Sequence, residues 1–304
     1  MDNARVTGSL SFLTGTVTVG VNGDTNSAMK TWTLDDIPWS QFDPSKVDPE
    51  VTKLVKAAAL VERNAADYTT YLKNVFHADP SFQSLADEWQ EEEVQHGDAL
   101  GLWAERADPT FDYKSAFQRF RDGYRINLET GESIRGSLTG ELIARCIVET
   151  GTSSYYSALR DGTEEPVLQY ICNRIAGDEF RHYKLFYTAL QDYLNKEQIP
   201  TWRRLLVAMG RIRESEDDEL SFAWHAANAP ADTPYDRAQA SLAYGARAFS
   251  FYRPLHVERA SNMVLKAAGI RPGGLVGAAV GKIMWSFISR RAKKLDAELK
   301  RQVA

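Results

Sequence analysis

Glu92-Glu93-Val94-Gln95-His96 is the motif from which the architecture of this chain can be inferred, and Asp178-Glu179-Phe180-Arg181-His182 repeats it downstream. Each places a carboxylate three residues before an imidazole, so on a helix both side chains leave one face about a turn apart and can grip one metal ion. Two such pairs facing each other make a two-metal site. Carboxylates and imidazoles without thiolates suit iron or manganese and their oxygen chemistry better than a structural zinc. The chain has five histidines, and Asp and Glu fill 41 of 304 positions, so chance supplies fewer than one histidine with an acid three residues before it. His96 and His182 both have one, and a second acid beside it. A single copy would read as a solvated surface pair.

The neighbours turn both pairs inward. Helical steps around the first read Phe82, Leu85, Ala86, Trp89, Glu93, His96, Leu100 and Trp103; around the second they read Leu168, Ile171, Cys172, Ile175, Glu179, His182, Phe186 and Leu190. Charged groups on a buried face are costly unless paired or bound to metal. Two more carboxylates interrupt apolar stripes. Glu62 lies on the face of Val51, Leu54, Val55, Ala58, Val61, Ala65 and Leu72. Its ordinary role would be an ion pair with a buried Arg, and its sharper role is a metal ligand. Glu149 shares a face with Leu142, Cys146, Thr152 and Tyr156, and Glu141 competes with it. Spacing favours Glu149: Glu62 to Glu93 is 31 residues and Glu149 to Glu179 is 30, an internal repeat of helix pair on helix pair.

One Glu from each of two helices and one Glu-x-x-His from each of two others is the donor pattern of ferritin-like di-iron carboxylate bundles. The motifs narrow the resemblance. Trp89 four residues before Glu93, the run Glu92-Glu93-x-x-His96-Gly97-Asp98, Thr152 three after Glu149, and Asp178-Glu179-x-Arg181-His182 look like the soluble acyl-carrier-protein desaturases. The resemblance covers about residues 50 to 195. It departs at Gln95, where that family usually has Arg, and at Tyr183, where it usually has Glu. It implies two iron ions, with manganese able to replace one, oxygen as oxidant, an acyl chain on acyl carrier protein as substrate and a ferredoxin-like electron donor. By the same resemblance Glu62 and Glu149 are terminal ligands, Glu93 and Glu179 bridge, and His96 and His182 each hold one ion. Asp178 and Glu92 are then expected to accept from the histidines of the facing helices and fix their tautomers. Thr152 either bonds a carbonyl one turn back or relays protons to bound oxygen. Trp89 is either core filler or an electron conduit.

The rest of the chain fits an all-α protein. At 43% hydrophobic and 25% charged, the composition is that of an ordinary globular chain with one main domain. The expected organisation is an N-terminal arm over 1–49, a four-helix di-iron core over 50–198, and additional helices with a basic C-terminal helix over 199–304. Residues 1 to 30 show no basic segment followed by a long apolar run, so no signal peptide is expected. Thr16 to Val21 alternates like a short strand, and Asn22-Gly23-Asp24 reads as a turn. Trp32, Trp39 and Phe42 among Pro and Asp suggest an irregular segment laid against the body. Helical stretches are expected from Val51 to Leu72, through Arg106, near Tyr113 to Asn127, from Ser133 to Leu159, and over 236–268, with Ala78-Asp79-Pro80 a break. The acidic run after Arg213 reads as a solvated turn, and His225 and His256 as structural residues.

Cys146 and Cys172 read as small buried hydrophobes, and two cysteines without a secretory signal fit a reducing cytoplasm. Gly273 to Ser289 is apolar apart from Lys282 but too short and glycine-rich to span a membrane. From Lys282 to Arg301 seven basic residues stand against Asp296 and Glu298, a local charge of +5 in a chain of net charge −5. That tail could dock an acidic carrier protein, make peripheral contact with an anionic membrane over 273–301, or simply cap the helices. No nucleic-acid partner is expected, and a homodimer is. Two rival readings share the ligands: a di-iron oxygenase (a hydroxylase or N-oxygenase) acting on a free small molecule, and a non-catalytic ferritin-like iron-binding protein.

Overall fold

Asp48 starts α1 (Pro49–Arg63) by accepting the amides of Glu50 and Val51, while Pro49 occupies a position whose amide the helix does not use. Asn64 separates α1 from α2 (Ala65–Val75). The same acid and proline device opens α3 (Pro80–Ala107), where Asp79 accepts from Phe82. After α4 (Tyr113–Gly123), Ser137 caps α5 (Leu138–Gly162), and Glu165 caps α6 (Pro166–Glu197) through the amides of Val167 and Leu168. There follow α7 (Thr201–Arg213), α8 (Asp218–Asn228), α9 (Arg237–Ala248), α10 (Pro254–Ala267) and α11 (Gly274–Val303). These elements come from a computed structural model that describes residues 32–214 and 218–303. The strand-like stretch from Thr16, the turn at Asn22 to Asp24, and residues 215–217 of the acidic run lie outside the described residues.

The described residues are helical apart from turns and connections, with no strand among them. Four boundaries differ from the expected ones, the first being the helix expected near Tyr113 to Asn127, which ends at Gly123 because Tyr124 is extended. The stripe from Val51 to Leu72 is broken at Asn64, whose amide bonds the Val61 carbonyl at 3.1 Å and whose carbonyl takes the Asp67 amide at 3.2 Å, a tightened turn at a weak helix former. The fifth helix begins at Leu138 rather than near Ser133, because Ser137 takes the cap and Gly136 turns with φ 76°. The stretch 236–268 divides before Pro254, which disfavours helix in the residue preceding it.

Four helices surround the proposed ligands. α5 lies along α6, α1 along α3, and α3 against α6, and the short connection from Thr163 to Glu165 makes α5 and α6 antiparallel neighbours. Gly97 sets the approach of α1 to α3: a Cβ there would stand 2.6 Å from the Arg63 backbone nitrogen. Two apolar clusters sandwich the site. One contains Leu54, Trp103 and Leu168, and the other Phe76, Phe82, Leu142 and Phe186. α8 covers α1, α9 joins α8 to α11, and α10 bridges α5 and α11.

Residues 32–49 belong to the same compact unit as the helices. This segment runs through three single turns of 3-10 helix. Trp32 and Ile37 are buried, Phe42 packs edge-on against Trp103, and the Asp43 amide donates to Glu165. No helix among the described residues is long and apolar enough to cross a membrane.

Candidate metal centre

Each ligand helix contributes its polar residues at a point where its apolar stripe faces the other three. Glu62 comes from α1, Glu93 and His96 from α3, Glu149 from α5, and Glu179 and His182 from α6; none is more than 6% exposed. They form two groups able to hold a metal ion: Glu62, Glu93, His96 and Glu179, and Glu93, Glu149, Glu179 and His182, with donor atoms in each within 4.8 Å of one another. Glu93 and Glu179 belong to both groups, which is the arrangement of shared carboxylates between two cations. The imidazoles lie 5.8 Å apart, centroid to centroid.

Outside this cluster the two flanking acids lie against the opposite histidines. His96 Nε2 is 3.0 Å from Asp178 Oδ2, and His182 Nε2 is 2.9 Å from Glu92 Oε2. A carboxylate at Nε2 holds the proton there and turns the Nδ1 lone pair inward. Arg181 joins the two acids, donating to Glu92 Oε2 at 2.9 Å and to Asp178 Oδ1. The Trp32 indole also donates to Asp178, at 2.6 Å, and its ring lies parallel to that of His96 at 6.2 Å.

The inner nitrogens carry the test of whether these residues fit metal ions. His96 Nδ1 lies 3.3 Å from Glu179 Oε1, and His182 Nδ1 3.0 Å from Glu93 Oε1, yet neither has the alignment of a hydrogen bond. Both nitrogens and Glu179 Oε1 are buried without a hydrogen-bonding partner, a costly condition for polar atoms unless a cation meets them. Charge points the same way. Six buried carboxylates, Glu62, Glu92, Glu93, Glu149, Asp178 and Glu179, face two guanidinium groups, Arg145 and Arg181, leaving the four negative charges that two divalent cations neutralise.

Without such cations the carboxylates cannot all ionise. Burial and repulsion from Glu179 and Glu62 push Glu93 well above the usual range, and burial with Glu179 pushes Glu149 up to about 8. Burial would also raise Glu179, but His182 and His96 hold it well below. The imidazoles rise in turn: burial disfavours their charged forms, and the surrounding carboxylates outweigh it.

Glu141, the competitor of Glu149, lies apart from the cluster and accepts from Tyr71 Oη at 2.8 Å and Ser133 Oγ at 2.7 Å. Thr152 Oγ1 donates to Glu179 Oε2 at 2.6 Å; the carbonyls of Val148 and Glu149 are farther, at 3.3 and 3.2 Å, so its single proton goes to the carboxylate. Trp89 is buried, edge-on to His182 at 6.5 Å. At the two departures from the desaturase motifs, Gln95 Nε2 donates to the Trp32 carbonyl at 3.1 Å and Tyr183 Oη to the Met263 carbonyl at 2.8 Å. His225 and His256 lie outside the cluster; His256 Nε2 is 3.0 Å from Asp161 Oδ2. Both cysteines are free and buried.

Three contributors escape sequence reasoning. Arg145, buried at 7% exposure, donates to Glu149 Oε1 at 2.9 Å and covers the Trp89 ring at 4.7 Å. A signal existed, since Arg145 lies one turn before Glu149. Tyr156 Oη donates to Glu62 Oε1 at 2.5 Å, and its place on the Glu149 face was visible although its partner was not. The Trp32 bond to Asp178 spans 146 positions and has no local signature. A scan against protein-family models finds no match to this chain, and a search of the curated proteins finds none either.

Proposed function

We propose that this chain is a ferritin-like, di-iron, oxygen-dependent oxidoreductase. The observation that carries the proposal is the pair of inward Nδ1 atoms, buried and unbonded, on either side of two carboxylates common to both halves of the cluster. Glu62, Glu93, His96 and Glu179 would hold one ion, and Glu93, Glu149, Glu179 and His182 the other. Bound there, two irons supply redox equivalents for reducing dioxygen beside an organic substrate. Asp178 and Glu92 hold the imidazole tautomers, Arg145 offsets the charge of Glu149, and the Thr152 hydroxyl keeps a movable proton on Glu179. The two apolar clusters exclude water from the reacting groups.

On the resemblance of its motifs, the substrate is an acyl chain on acyl carrier protein and the reaction is desaturation. Dioxygen then takes two electrons and two protons from the substrate and two of each from outside, giving two waters, with a ferredoxin-like protein as the external donor. One observation favours the second reading, oxygenation of a free small molecule: a cavity of about 280 Å³ reaches Glu62 and Thr152. Small-molecule pockets begin at about 300 Å³, so this space suits a compact ligand. A purely iron-storing role gives no reason for such a cavity.

The test is a single turnover. The protein is loaded with ferrous iron without air, given candidate acyl carriers or free acids and a reductant, and exposed to oxygen, and the products are weighed. Loss of two hydrogens supports desaturation, and gain of one oxygen supports the oxygenase reading. A protein that takes up no transition metal would end the proposal.

A further inference from the structure

α11 presents the reverse of the usual faces to its neighbours and to solvent. Its buried side carries Gly277, Gly281 and Leu295. The two glycines lie against α10: a Cβ at Gly277 would stand 2.6 Å from Asn262 Oδ1, and one at Gly281 3.4 Å from the Glu258 Cα. The same Asn262 oxygen accepts the Gly273 amide at 2.9 Å, which fixes where the helix starts. With the glycines turned inward, large apolar side chains turn outward: Leu275 is 91% exposed, Val276 58%, Ile283 67% and Phe287 60%. A helix that only covered its neighbours would bury residues of that kind.

The outward face changes character along its length. Leu275, Ala279, Ile283 and Phe287 follow at four-residue steps, an exposed apolar stripe about 18 Å long. Beyond it the same side carries Arg290, Lys293, Lys294 and Arg301, all exposed. The acids of this half are Asp296, which Lys300 pairs at 2.8 Å, and Glu298. α9 and α10, which pack on α11, bring one more acid, Glu258, against four basic residues, of which Arg237 and Arg247 pair with Asp218 and Glu50. Positive charge therefore prevails in the second half of the face.

This division selects the occupant. In a two-fold contact between copies along the whole helix, basic residues would meet either the apolar half or one another; a contact through the apolar halves alone leaves the basic ones without a counterpart. An acidic protein matches the basic half only. An anionic bilayer matches both, with hydrocarbon for the first half and headgroup phosphates for the second. We propose that α11 docks this protein on the surface of an anionic bilayer, with Leu275, Ile283 and Phe287 at the acyl boundary and Arg290, Lys293 and Lys294 among the headgroups. The whole chain carries −5, so such a surface repels its other sides and the basic half selects the side that approaches. This docking does not depend on the metal reading.

The full chain is mixed with vesicles of phosphatidylglycerol and phosphatidylcholine in equal parts, or of phosphatidylcholine alone, and bound protein is separated by flotation. Binding to the mixed vesicles is expected to be more than about 10-fold tighter, and to weaken in about 0.5 M salt. Arg290→Gln/Lys293→Gln/Lys294→Gln should erase the preference, and Ile283→Ser/Phe287→Ser should lower binding to the mixed vesicles by about 10-fold or more. The replaced side chains are exposed, so both variants should keep the metal content and Tm of the parent. Phe287→Cys labelled with an environment-sensitive dye, the two native cysteines being buried, should report apolar surroundings only when mixed vesicles are added, and it tests the location even if the other variants do not fold. Equal binding to both vesicle types, binding unchanged in Ile283→Ser/Phe287→Ser, or a dye that does not respond overturns the proposal. So does a parent that binds no vesicles but sediments as a dimer that Ile283→Ser/Phe287→Ser makes monomeric, because the face then belongs to a second copy. A chain that binds vesicles in the expected pattern but takes up no iron leaves the docking standing and removes the oxidoreductase reading.

Discussion

Trp32 donates its indole N–H to Asp178 Oδ2 at 2.6 Å, and the same oxygen stands 3.0 Å from His96 Nε2. A residue ahead of the first helix thus holds the acid that holds a proposed ligand. Gln95, next to that ligand, grips the Trp32 carbonyl and closes the loop.

Asp178→Asn is expected to lower the affinity for one of the two ions about 10–100-fold, as loss of a histidine's carboxylate partner does elsewhere. Trp32→Phe leaves Asp178 one donor short and should cost about 1 kcal/mol of stability with a smaller loss of affinity. Ferrous titration with denaturant unfolding separates the two effects.

The shared carboxylates differ from the unshared ones. Glu62→Gln or Glu149→Gln should each leave one ion bound, whereas Glu93→Gln should lose both, measured by metal analysis after gel filtration. Because Glu93 is crowded by Glu179 and Glu62, Glu93→Gln without metal should be at least as stable as the metal-free parent. It should also lack the rise in Tm that iron is expected to give the parent and a chelator to reverse.

Gly97→Ala should destabilise the protein by about 1–3 kcal/mol through overpacking, because its Cβ would press on the Arg63 backbone rather than on a side chain that can move. α1 must then shift away from α3 and carry Glu62 with it. The variant should therefore bind one ion more weakly than its loss of stability alone explains, as read by metal titration well below the melting range.

The Lys56 ammonium and the Thr110 hydroxyl bring the Asp108 carboxyl down to about 2 from its ordinary 3.8. A carboxyl lower in the folded than in the unfolded state contributes stability that is present above the unfolded value and lost as pH falls toward the folded one. The stability difference between the parent and Asp108→Asn should be constant above about pH 5 and shrink between about pH 4 and pH 2. Urea unfolding across that range checks it, and a difference that grows on acidification would refute the assignment.

Helical periodicity made the proposed ligands legible. Glu93, His96, Glu179 and His182 interrupt apolar stripes, and the 31- and 30-residue spacings of the two helix pairs set Glu149 ahead of Glu141. The boundaries read less well where a single residue decides, as at Asn64 and Ser137, because capping and turn tightening compete with the stripe over only a few bonds. Arg145 was hidden for another reason: an arginine one turn from a glutamate looks the same whether the pair is solvated or buried.

Spacing within single helices is enough to show that the described chain is helical and that Glu62, Glu93, His96, Glu149, Glu179 and His182 face its core. The folded chain alone shows that two carboxylates are common to both groups able to hold a metal ion, that Trp32 and Tyr156 hold Asp178 and Glu62, and that α7, α9 and α11 close a cavity over Glu62 and Thr152. Those relations join residues far apart in the chain. Their register depends on how closely whole helices approach, set at points such as Gly97, and no local pattern records it.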